Sequence, residues 1–91
     1  MSEDVITVIT TVTEIVAGEF GLPVAAVDAD VDLSSLEGAD SVKVLRAVAK
    51  IERTYDIELE DDQVFGLKTV RDAATLVVAT LAEKEPSGGG R

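Results

Sequence analysis

The chain contains no cysteine and no histidine. The first absence excludes disulfides and protein thiolates. The second removes the side chain that most often moves protons near neutral pH, and with both gone the usual zinc sites go too. A Ser-His-Asp triad cannot be assembled. Tryptophan is missing, and Phe20, Tyr55 and Phe65 are the only aromatics, so the core is expected to be built from Val, Ile, Leu and Ala. Basic residues are scarce: eight stand against eighteen acids, for a net charge of -10. Such a chain repels phosphate backbones and anionic bilayers, which argues against nucleic acid and membrane as partners. No apolar run approaches the roughly 20 residues of a membrane span, and "MSEDVITVIT" lacks the basic start of a secretory signal. A cytoplasmic location is the expectation that follows.

What is present fits one small domain, read as residues 1–83, followed by a polar, glycine-rich tail, "KEPSGGGR" at 84–91, expected to be disordered. In a chain this short the core is modest and any pocket small. Residues 4–17, "DVITVITTVTEIVA", carry strand-forming residues at helix-forming spacing. Val5, Val8, Ile9, Val12, Ile15 and Val16 fall on one helical face with threonines between them. Asp4 suits the helix start, and Gly18 and Gly21 are read as following the end. Periodicity outranks propensity here, and a lone strand has no partner, so the expectation is a helix.

Residues 21–40 form a long connection with four aspartates, for which Leu22, Val27, Val31, Leu33 and Leu36 are candidate anchors to the core. The clearest helix spans 41–54, with Val44, Val48, Ile51 and Tyr55 on its core face. A short helical turn is expected near 60–66, started by Asp61 and Asp62 and stopped by Gly66. A last helix begins at Thr69, which pairs with Asp72 as a capping box, and buries Val70, Ala73, Ala74, Val77 and Leu81. The fold class is all-α: a small four-helix bundle of three longer helices and one short one, with a long loop between the first two.

The stretch "GADSV" at 38–42 closes that loop and opens the second helix. Asp40 and Ser41 both suit an N-cap, because their oxygens accept unpaired first-turn N–H groups. On these two residues alone, starting a helix is the preferred reading. A second reading remains open. A serine in the first turn sits where backbone N–H groups and the helix dipole favour a phosphate. Nothing nearby would make its hydroxyl nucleophilic, so Ser41 would be modified by another protein rather than act as a catalyst.

The segment "GADSVKVLRAVAKIERTYDIELEDDQVFGLKTVRDAATLV" resembles the acyl carrier proteins and their peptidyl relatives, and the likeness extends over about residues 5–82. Those proteins carry "DSL" at the start of their second helix, matched here by Asp40, Ser41 and Val42. "IERTYDIELEDD" and "KTVRDAATLV" are similar to two further family stretches, in the same order. The resemblance implies that Ser41 receives 4′-phosphopantetheine from coenzyme A, covalently, through a phosphopantetheinyl transferase, with Asp40 beside it near that enzyme's metal. It implies a non-catalytic, monomeric carrier whose partners are acyl-loading enzymes, ketosynthases or other synthase components. Its cargo would be held as thioesters on a borrowed thiol, in a protein that has none of its own.

Three departures stand out. The family's leucine before the glycine is displaced, since the order here is Leu36-Glu37-Gly38, and Val42 replaces the customary leucine. The family's second helix is often acidic, whereas here Lys43, Arg46, Lys50 and Arg53 recur at helical spacing and make up half of all the basic residues. Val42, Leu45 and Ala49 lie between that stripe and the core face. These seven residues are the candidate partner-binding surface, although a solvated face explains each cation singly and a core position explains Leu45 equally well. The Val- and Ala-rich core and the basic helix favour a specialised pathway such as polyketide synthesis over fatty acid synthesis. The rivals are an aminoacyl or peptidyl carrier of a nonribosomal pathway, and an unmodified helical adaptor that binds an acidic partner through the second helix.

Overall fold

A computed structural model describes residues 4–84, and among these there are four α-helices and no strand. They are α1 (Val5–Phe20), α2 (Ser41–Tyr55), α3 (Asp61–Phe65) and α4 (Val70–Lys84). The four-helix architecture is the one expected. Of the segment read as a tail, Lys84 closes α4 and residues 85–91 lie outside the described ones.

The first helix resolves the conflict in its sequence in favour of periodicity. Asp4 caps it: its Oδ1 accepts the Ile6 N–H at 2.8 Å. Thr10 donates its hydroxyl to the Ile6 carbonyl at 3.2 Å, so its polar atom is satisfied within the helix. Val8, Val12 and Val16 are buried, and burial of about 1.5 kcal/mol or more per valine outweighs the few tenths that β-branching costs each helical position. Val5, expected on this face, is 37 % exposed and lies outside the buried core. The helix also runs further than expected. Gly18 lies inside it, and the turn falls at Gly21 (φ 71°), where the Gly21 and Leu22 N–H groups both donate to the Ala17 carbonyl. The added turn buries Phe20, and that burial offsets the helix penalty of Gly18.

Helix α1 is the element against which both α2 and α4 pack. Val8, Val12, Val70 and Val77 are fully enclosed, joined by Ala73 and Ala74 of α4 and by Ile51 and Ala47 of α2. No leucine is among the buried residues described, contrary to the expected core composition. Leucines instead seal its edge: Leu22, Leu33, Leu36, Leu59, Leu67 and Leu81 are partly buried against it. Valine and alanine let neighbouring helices approach closely, which leaves the longer side chains to cover the ends and the loop. Val44 and Tyr55, placed on the core face of α2, are at this same half-buried margin.

The long connection is pinned by its aspartates as much as by its apolar residues. It contains two short 3₁₀ turns, Val24–Ala26 and Leu33–Ser35, that the sequence pattern did not reveal. Asp28 Oδ1 accepts the Asp30 N–H, and Asp32 Oδ1 accepts both the N–H and the hydroxyl of Ser34 at 2.9 and 2.7 Å. Asp30 grips Arg71 on α4 through two bonds of 2.6 and 3.1 Å. Backbone bonds from Arg71 to Ala29 and from Leu33 to Lys68 stitch the loop to the start of α4. Val27 is buried, and Leu22, Leu33 and Leu36 are partly so, but Val31 is exposed and anchors nothing.

The cap of α4 follows the sequence, whereas α3 is capped from Glu60, just before the expected Asp61 and Asp62. Thr69 and Asp72 exchange bonds, with Asp72 N–H donating to Thr69 Oγ1 at 3.0 Å and Thr69 N–H donating to Asp72 Oδ2 at 3.2 Å. Gln63 Oε1 accepts the Glu60 N–H at 2.9 Å at the start of α3. Between α2 and α3, Asp56 takes a left-handed conformation (φ 57°) and Glu52 Oε2 accepts the Leu59 N–H at 2.8 Å, fixing where α3 begins.

Candidate functional site

Asp40, rather than Ser41, caps α2. Its backbone is extended, and its Oδ1 accepts the Lys43 N–H at 2.8 Å. Ser41 is therefore the first residue of the helix, exposed, with its hydroxyl not needed for the cap. Ser41 is thus freed from the structural role that its sequence position first indicates. Just upstream, Gly38 takes φ 80°, and a Cβ there would meet Lys43 Nζ at 3.3 Å and the Phe20 carbonyl oxygen at 3.6 Å. The Gly38 turn is therefore tight as well as left-handed, and the Lys43 ammonium folds back over it.

Ser41 opens onto a groove of about 380 Å³. Leu33 and Ala39 of the loop, Val44 and Leu45 of α2, and Val64, Phe65 and Leu67 around α3 make its apolar wall. Asp32, Asp40 and Lys68 stand at its polar margin. A second hollow of about 180 Å³ lies further along α2, between Val48, Ala49 and Leu59. Leu45, Val64 and Phe65 border both and form the divide between them.

Phe65 is the residue that sequence reasoning missed. It is 80 % exposed although it is one of three aromatics, the other two being engaged with the core. Its signal was its position: a large apolar residue just before Gly66, at the end of a helix too short to have an inner face of its own.

The other partner-surface candidates fall where their spacing puts them, with one exception. Val42 and Leu45 are 56 % and 54 % exposed, so Leu45 is not core. Ala49, Arg46, Lys50 and Arg53 are exposed as well. Lys43 is half-buried against the Gly38 turn and stands apart from the other three cations. Around the site, hydrogen bonds from Ser34, its hydroxyl above all, hold the Asp32 carboxyl below the usual carboxylate value. The Asp30 carboxyl is lowered by its hydrogen bonding to Arg71, whose own value is raised.

An exposed serine thus stands at a capped helix start, with an apolar groove beside it and a helical bundle around it. A family model described as "Phosphopantetheine attachment site" matches residues 10–77. The chain is 30 % identical over 73 residues to an acyl carrier protein of Amoebophilus asiaticus, covering 80 % of this chain and 91 % of that one. It is 40 % identical over 53 residues to the oxytetracycline polyketide synthase acyl carrier protein of Streptomyces rimosus, covering 58 % and 56 % of the two chains. The solution structure of an oxytetracycline acyl carrier protein superposes with a TM-score of 0.69 at 28 % identity, over 91 % of this chain and 90 % of that one. The chain belongs to the acyl carrier protein family.

It is therefore a non-catalytic carrier with a 4′-phosphopantetheine prosthetic group, and its partners are of two general kinds, a phosphopantetheinyl transferase and synthase enzymes. The site fits such a group. It offers an accessible hydroxyl and, next to it, an apolar groove. No helix among the described residues is long and apolar enough to cross a membrane.

Proposed function

We propose that Ser41 Oγ is the attachment point of the prosthetic group and that the chain carries acyl intermediates of a polyketide or related specialised pathway. The observation that supports this most directly is the position of Ser41, exposed at the first residue of α2 and at the mouth of the groove. Asp40 holds that helix end through the Lys43 N–H and so fixes the backbone that carries the hydroxyl. When attached, the group supplies a terminal thiol that holds an acyl unit as a thioester. Leu33, Val44, Leu45 and Phe65 offer it an apolar wall, and the exposed hydroxyl leaves room for a transferase. The polyketide assignment draws support from the likeness to the oxytetracycline synthase carrier, in sequence and in structure.

Intact-protein mass spectrometry tests the attachment site. Incubation with coenzyme A and a broad-specificity phosphopantetheinyl transferase adds one phosphopantetheinyl group to the wild type and none to Ser41→Ala. Ser34→Ala and Ser35→Ala, in the neighbouring loop, gain the group normally. A Ser41→Ala protein that is still modified refutes the assignment. For the pathway, a malonyl-loading acyltransferase is expected to charge the modified chain, and charging by an amino-acid-activating enzyme alone refutes it.

A further inference from the structure

We propose that the outer face of α2 is the docking surface for an acidic patch on the enzyme that works on the carried group, so that recognition pairs a basic carrier helix with an acidic partner. The proposal rests on the carrier reading above and adds the charge of the partner. At 3.6 residues per turn, Val42, Leu45, Arg46, Ala49, Lys50 and Arg53 fill one continuous arc of about 140°, opposite the buried Ala47, Val48 and Ile51. All six are exposed. The face begins one residue after Ser41 and runs away from it for about 18 Å of helix.

Among the described residues, the cations on this face are left without an ion pair. No acid stands three or four residues from Arg46 or Lys50 along the helix. Among the described residues, Arg46, Lys50 and Arg53 make no ion pair, whereas Arg71 is fully engaged by Asp30. Arg53 lies in the last turn, where the helix dipole alone accounts for a cation. Arg46 and Lys50 lie in the first half and middle of the helix, where the dipole gives no such reason. In a chain with eighteen carboxylates, leaving this face uncompensated is a feature of its placement.

The chemistry of the occupant follows from the charge. A polyanionic nucleic acid or bilayer meets a net charge of -10 and is repelled as a whole. A protein surface with a few carboxylates set against α2 meets only the local positive field, which speeds encounter and rejects basic partners. Val42 and Leu45, at the Ser41 end, supply the apolar contact that holds the encounter complex over the serine. An interface of one helical face is small, as suits a carrier that must be released after each visit.

The test uses the full chain carrying its prosthetic group, titrated with a hexaglutamate peptide at low salt and followed by ¹H–¹⁵N NMR. Amide shifts are expected between Val42 and Arg53, with apparent affinity falling at least about tenfold in 0.5 M NaCl and in Arg46→Glu/Lys50→Glu/Arg53→Glu. The single Lys50→Glu variant is expected to fall between the two. Absent shifts, shifts centred on Lys68 and Arg71, or self-association of the wild type through α2 overturns the proposal. Modification of Ser41 is read by mass in the same samples and is expected in the wild type. Failure of that modification in the wild type refutes the carrier assignment and leaves the charge result to stand by itself.

Discussion

Removing the cap of α2 gives a direct test of how the fold presents Ser41. In Asp40→Ala two contributions are lost: the 2.8 Å bond to the Lys43 N–H and a negative charge at the helix N-terminus. The bond is exposed, so water partly replaces it, and the loss is about 1 kcal/mol. The charge adds about 0.5 kcal/mol. In Asp40→Asn the side-chain oxygen that caps the helix is retained and only the charge is lost. In a domain of this size, about 1 kcal/mol corresponds to roughly 4–8 °C in Tm. Circular dichroism melts should therefore place Asp40→Ala about 6–12 °C below the wild type and Asp40→Asn about 2–4 °C below it. If the role of Asp40 is positional, both variants load fully with phosphopantetheine well below their melting points, and Asp40→Ala falls behind first on warming. An Asp40→Ala protein with the wild-type Tm refutes the capping argument. An Asp40→Asn protein as destabilised as Asp40→Ala refutes the division between bond and charge.

Two further outcomes are expected. Val77 is fully enclosed, so Val77→Ala leaves a cavity and costs about 2 kcal/mol by urea unfolding, while Val42→Ala on the exposed face costs under about 0.5 kcal/mol; equal effects would contradict the burial pattern. The Asp30–Arg71 contact is pH-dependent in a defined direction. Because the folded Asp30 value is lowered, its contribution is present above the unfolded value of about 3.9 and is lost as pH falls through the folded one. Wild type is thus more stable than Arg71→Ala near neutrality, and the gap closes in acid. A gap that does not narrow as the pH is lowered would show that the pair does not hold the loop. The lowering of Asp32 comes from Ser34 and is common to both proteins, so it cancels in the comparison.

Much of the fold was legible because short-range physics dictates it. Asp4, the Thr69–Asp72 exchange and Gly21 mark helix ends through bonds that span only a few residues, and these are written in order along the chain. The apolar stripe of α4 and the core face of α2 are periodic, and periodicity survives whatever the helices pack against. The start of α2 at Ser41 was legible for the same reason, and so was the row of exposed cations that follows it.

The rest depended on contacts between distant residues. The pairing of Asp30 with Arg71, 41 positions apart, is fixed only once α4 packs beside α1 and carries its N-terminus to the loop. The continuation of α1 through Gly18 was settled by a pocket in the core for Phe20, and local propensity carries no trace of that pocket. Likewise Lys43 leaves its stripe because the Gly38 turn comes within its reach, and Phe65 is exposed at the end of α3, a helix that buries no residue. The sequence by itself determined the helices, the acidic surface and the serine at the start of α2. The tertiary structure decided which apolar residues are enclosed, how the loop is tied down, and that the serine faces a groove, since each of these is a property of surfaces that meet only when the helices pack.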